Sequence, residues 1–140
     1  IVMCMFVPRD RKKSLKPKVA EEDIKCFKIV AIGNEKNIYS AVRKFPYQLN
    51  KTYTVEGNFF EIFYTGHYYY HIDGGGFHSF VELEDAFDSY GRYESTDEEK
   101  MVIVRCHIPK GSLYYMGESL VGEPNYVSQS IVIDKIIHDN

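Results

Sequence analysis

Three of the five histidines, His67, His71 and His78, stand close together around a run of three glycines. Imidazoles four apart on a helix, or alternating with tyrosines along a strand, can converge on a metal ion. No Asp, Glu or Cys stands where it would complete a closed zinc site, although Asp73 is near, so no metal is expected. Edge-strand imidazoles bonded to water or backbone account for them equally well. The same segment contains Gly74–Phe80 (GGGFHSF), where glycine amides together with His78 and Ser79 offer a cradle for a small anionic or nucleotide ligand. It lacks the G-K-[ST] ending of a phosphate loop, and three glycines also suit a simple chain reversal. The ligand-binding candidates here are Tyr69, His71, Gly75, Gly76, His78 and Ser79.

A second group lies near the start. Arg9, Arg11, Lys12, Lys13, Lys16 and Lys18 are opposed locally only by Asp10, and such an arm can neutralise several phosphates. It holds no aromatic residue to stack on a base, and charge runs are usually solvated loop. The three cysteines, Cys4, Cys26 and Cys106, are odd in number, widely spaced and without a C-x-x-C, which makes a poor disulfide framework and favours a reducing compartment. Cys106 and His107 are strand neighbours that point to opposite faces, so they cannot form a dyad. Ser79 and His78 fail as a dyad for the same reason.

The elements that must position these residues are mostly strands. Ile24–Ile32 (IKCFKIVAI) reads as a strand closed by Gly33-Asn34, with Ile38–Val42 as its hairpin partner. Thr52–Val55, Phe59–Thr65, Phe77–Val81, Met101–Ile108, Leu113–Met116 and Tyr126–Ile133 read as further strands, and Ile1–Val7 as a short one ended by Pro8. Ala20–Asp23 has the makings of one helical turn. Leu83, Ala86, Phe87 and Tyr90 recur at the helix period, with acids in the first turn and Gly91 as the stop, so the main helix falls near 82–91. The expected fold is α+β: one domain over 1–140 with a strongly curved, mostly antiparallel sheet of about seven strands. Residues 8–19 form a basic loop or mobile arm.

Composition sets the outer bounds. The chain has 140 residues, 44% hydrophobic and 26% charged, which is ordinary for one folded domain. Twelve Tyr and nine Phe with no Trp suit strands lying between a core and a wet surface. The net charge of −3 gives the whole fold no electrostatic claim on nucleic acid or acidic membranes. No apolar run reaches membrane-spanning length, and a cytoplasmic location is expected. Ile1 and Val2 precede the first Met, which suggests a start artefact.

Two resemblances are carried by particular residues. Ala20–Ile29 (AEEDIKCFKI), Gly76-Phe77-His78-Ser79-Phe80, Ile108-Pro109-Lys110-Gly111 and Tyr114-Tyr115 followed by Gly117 together resemble a family of small proteins from gut bacteria and their phages. That likeness spans Met3 to Ile133 and implies a phage or prophage accessory context. More distantly, the layout is similar to ADP-ribosyltransferases. In that family a first strand carries Arg or His, a Ser-bearing strand precedes a helix, a hairpin turns at Pro-x-Gly, and a last strand carries the catalytic Glu. Ser79 matches the serine, while Lys28 stands in the first strand and Gln129, between Ser128 and Ser130, stands where the Glu belongs. The resemblance adds Lys28 and Gln129 to the ligand-binding candidates and implies NAD or another nucleotide as ligand, with degenerate catalysis.

Three functions follow as expectations. The first is a non-enzymatic accessory domain, with a Tyr-rich sheet face binding a protein or small molecule; a homo-oligomer is compatible with it, and no cofactor is expected. The second is the nucleotide-binding domain just described. The third is nucleic-acid binding through the N-terminal arm.

Overall fold

A computed structural model describes residues 5–8, 16–41, 45–57, 59, 61–64, 69–73, 75–93, 95, 96, 98–119 and 121–139, with backbone alone for 5–8, 61–64, 69–73 and 139. The order along the chain is β1 (Met5–Pro8), β2 (Lys18–Val19), β3 (Ile24–Gly33), β4 (Ile38–Ser40), β5 (Pro46–Tyr47), β6 (Thr52–Thr54) and β7 (Glu61–Tyr64). It continues with β8 (Tyr69–Asp73), β9 (Phe77–Phe80), α1 (Leu83–Tyr90), β10 (Glu99–Ile108), β11 (Leu113–Glu118), β12 (Pro124–Ser128) and β13 (Ser130–Asp139).

The strands form one antiparallel sheet in the order β6-β13-β10-β3-β9-β12-β11-β1-β8-β7. Ten strands therefore follow one path, and β2, β4 and β5 pair off it, against an expectation of about seven. The strands without a counterpart in the expectation are β8 and the two-residue pieces β2 and β5, which are too short to show alternation in sequence. Among the described residues one α-helix is present, and no helix is long and apolar enough to cross a membrane.

β3 and β10 are the centre of the sheet. Their sequences are nearly continuous in apolar residues because both faces of both strands are covered. On one face Cys26 and Val30 of β3 meet Val102, Val104, Cys106 and Ile108 of β10, together with Ile131 and Ile133 of β13, Tyr47 and Phe77. On the other, Phe27, Ile29, Ala31, Met101 and Ile103 meet Phe80 and the helix through Ala86, Leu83 and Tyr90. The alternation along IKCFKIVAI thus sorts odd-numbered residues towards α1 and even-numbered ones away from it.

The helix matches its expected span, held by the apolar positions that set its period. Ala86 is fully buried, which lets the helix approach the sheet closely, and the Tyr90 hydroxyl donates to the Met101 carbonyl at 3.1 Å. Phe87 stays 42% exposed, with its ring edge-on to His138 of β13. Gly91 ends the helix with a right-handed φ of −63°, so it stops the element without using glycine's left-handed freedom.

Two expectations are corrected. Residues 20–23 are not a helical turn; Ala20 donates its amide to Ser112 O and accepts from Gly111, which ties the segment to the turn after β10. β1 ends at Pro8, as expected. The single last strand expected over 126–133 is two strands split at Gln129. β12 pairs with β11 and β9, whereas β13 pairs with β10 and β6. The Gln129 amide donates to Leu113 O and its carbonyl accepts from Val55, so the backbone is satisfied at the corner where the chain leaves one ladder for another.

The tyrosines whose side chains are described prove to be packing residues. Tyr47 and Tyr115 are buried, and Tyr39, Tyr53, Tyr90, Tyr93, Tyr114 and Tyr126 are half-buried. Phe45, Tyr47, Tyr53 and Phe77 form an aromatic group with ring centroids 5.2–6.3 Å apart, closing one end of the first core face. Burial raises Tyr47 far above the ordinary phenol range, so its ring is held neutral.

These two faces differ testably from the helix surface. Ile103→Ala removes a fully buried side chain from the doubly covered strand and should cost about 2–5 kcal/mol in urea unfolding. Phe87→Ala, on a ring already open to solvent, should cost under about 1.5 kcal/mol.

Candidate functional site

The residues able to do chemistry gather at one end of the β3–β10 ladder, where Lys25 faces His107, Cys26 faces Cys106 and Phe27 faces Arg105. Alternation divides them between the two sides of the sheet, so Cys106 and His107 do point opposite ways.

On the inner side lies a compact polar group. Lys28 is only 8% exposed, and its ammonium donates to the carbonyl of His78 on β9. Ser79, wholly buried on the same strand, neighbours Cys26. Burial lowers the Lys28 amine below its ordinary 10.5, offset in part by the adjacent thiols. Cys26 is drawn below the usual thiol value first by its hydrogen bond with Cys106, against the opposing effect of burial, and then by Ser79 and the Lys28 charge. Cys106 is pushed well up, chiefly by burial. Of the sequence candidates, the fold therefore brings Lys28, His78 and Ser79 together, and adds two cysteines that sequence spacing had kept apart.

On the outer side, His107 Nδ1 lies 2.8 Å from Asp134 Oδ1 and 3.0 Å from Oδ2, while its Nε2 is 4.0 Å from Asp23 Oδ2. Asp134 reaches this position because the β10–β13 register slips there: Arg105 faces Lys135, but Cys106 faces Ile133. The extra residue is a β-bulge, which turns the carboxylate onto the histidine's face. Asp23 also accepts the Lys110 amide at 2.9 Å, fixing the Pro109–Gly111 turn beside it. The Asp134 contact holds the imidazole in one orientation, with its second nitrogen turned towards Asp23. Neither Asp134 nor Asp23 was a sequence candidate, because a bulge leaves no periodic signal.

Next to Asp23 is an open recess of about 720 Å³, lined by Lys18, Val19, Glu21, Glu22, Asp23, Ile24 and Tyr114. Three carboxylates against one ammonium make it acidic. Tyr114 stacks edge-on against Tyr126 at 5.7 Å, and Ile24 supplies apolar surface.

The other candidates are placed as follows. Gly76 donates its amide to Phe59 O at 2.8 Å, and a Cβ there would lie 2.7 Å from that oxygen and 2.6 Å from Val127 Cγ1. Close backbone approach to Phe59 is thus a packing reason for this glycine, and Gly75 beside it is exposed. Gln129 is half-buried at the β12–β13 corner, away from the Lys28 group in register. Tyr69 and His71 lie on β8, four ladder steps from the β9 strand of His78 in the sheet order; their side chains are outside the described residues. So are His67, Gly74, Cys4 and the arm residues Arg9, Arg11, Lys12 and Lys13. Lys16 and Lys18 are exposed, Lys18 within the short strand β2 on the edge of β11. Among the described residues no group of three or more His, Cys, Asp or Glu is arranged to hold a metal ion.

No protein-family model matches this sequence, and no curated protein or solved structure matches it either.

Gly76→Ala must move either the Phe59 backbone or Val127 and should cost about 1–3 kcal/mol by urea unfolding. Lys28→Met fills the same volume without a charge, so at pH 7 it should be at least as stable as the wild type. The folded amine binds its proton more weakly than the unfolded one, so the destabilising contribution of Lys28 diminishes as pH rises towards 10.5. The advantage of Lys28→Met should therefore shrink as urea titrations move from pH 7 towards pH 10.

Proposed function

We propose that this chain is a non-enzymatic binding domain, of the accessory kind implied by its likeness to small proteins of gut bacteria and phages, and that it takes a basic peptide segment in the recess at 18–24. The acid-lined concavity carries this reading. Glu21, Glu22 and Asp23 face outward on a segment tied down by the backbone of Ala20 and the carboxylate of Asp23, so a cationic ligand meets a formed surface. Tyr114 adds a ring face on which an Arg or Lys side chain can lie, and exposed Val19 offers apolar contact. Lys28 and Ser79, which an enzymatic reading would need at a cleft, are committed to the interior.

Isothermal titration with a short Arg/Lys-rich peptide should show binding that weakens as salt rises. The E21Q/E22Q variant, altered at exposed positions, should lose at least tenfold in affinity while unfolding at the same urea concentration. A peptide that gives no heat, or a double variant that binds as well as the wild type, would refute the recess. A rise in melting temperature with NAD or ADP-ribose and none with the peptide would favour the nucleotide reading instead.

A further inference from the structure

We infer that Cys26 and Cys106 are a redox modification site: a thiol pair in the interior that closes into a reversible disulfide joining the two central strands. The two residues are direct partners in the antiparallel register of β3 and β10, so both side chains leave the sheet on the same face. Directly opposed residues have Cα atoms about 4.5 or 5.5 Å apart, and both values fall within the roughly 4.4–6.8 Å that a disulfide spans. Both thiols are free, and that of Cys106 donates to the Val104 carbonyl at 3.9 Å. Lys28, two residues along the same face of β3, places a cationic group beside the pair, and Ser79 lies against Cys26.

With glutathione disulfide as oxidant, one of the two cysteines loses its proton, attacks as thiolate, forms a mixed disulfide and expels one glutathione thiolate. The other cysteine then gives up its proton, attacks the protein sulfur of that mixed disulfide and expels the second. Two protein thiols are oxidised, one glutathione disulfide is reduced to two glutathiones, and the two protons lost by the protein pass to them. Both sulfurs are fully covered in the folded chain, so the exchange runs while the β3–β10 ladder is open. In a reducing compartment the pair stays as thiols; a shift towards oxidising poise locks the ladder.

The test uses the full chain carrying Cys4→Ser, so that two thiols remain. It is unfolded in urea, refolded in glutathione buffers of graded ratio, alkylated and digested. The expected product is a Cys26–Cys106 linked peptide from protein with a native circular dichroism spectrum. That protein should unfold at higher urea than the reduced form, and dithiothreitol should reverse both changes. In the same buffers Cys26→Ser and Cys106→Ser, each added to Cys4→Ser, should fold with the remaining thiol reduced. Separate glutathione adducts on the two cysteines, a linked species without native spectrum, or no linkage at any ratio would each overturn the assignment.

Discussion

Ten residue pairs join β3 to β10 without interruption, from Gly33 opposite Glu99 to Ile24 opposite Ile108, and along the middle of this ladder both faces are removed from water. A double-sided strand must satisfy two environments with one alternating sequence. Odd positions of β3 pack beneath α1, and even positions pack against β13, Phe77 and the aromatic group around Tyr47. A one-residue slip would exchange the two sets, sending Lys28 under the helix and Phe27 into the thiol group. The register of this single pairing therefore fixes where every chemically capable residue lies.

Lys28 shows what that constraint costs. A buried amine is unfavourable unless its protons find acceptors, and here the His78 carbonyl supplies one while the neighbouring sulfurs favour its charged form. The lysine, the serine and the two cysteines come from three strands, yet they form one group because β9 docks on β3 through the Phe27–Phe80 pair. On the opposite side, the bulge at Asp134 performs a similar service for His107. The two sides of one ladder end thus carry different chemistry: a covered group of thiols, amine and hydroxyl within, and a solvent-reachable imidazole between carboxylates without.

Much of this was legible in the sequence, and what was missed has physical reasons. The long apolar runs of β3 and β10, the hairpin to β4 and the period of Leu83, Ala86, Phe87 and Tyr90 are strong local signals, and each element lies where they put it. Among the described tyrosines, aromatic excess reports packing between strands rather than a sticky exterior. Short strands such as β2 and β5 are created by their partners and carry no signal of their own. The Cys26–Cys106 pair, the Lys28 contact and the Asp134–His107 pair are all non-local, and local spacing does not encode which strands will adjoin. Gly76 was legible as a position demanding glycine; that the reason is the Phe59 backbone required the fold.

The corner at Gln129 has a bearing on how this chain tolerates change in length. A single residue separates β12 from β13, and its amide and carbonyl are shared between Leu113 and Val55, so three segments converge on one peptide unit. An inserted residue there would invert the inside-outside pattern of one strand relative to the other. The turn at Gly122, whose φ of +82° faces open space, imposes no such phase relation. Evolutionary insertions, tags or grafted epitopes belong at that hairpin tip, whereas the junction at 129 behaves as a fixed vertex of the fold.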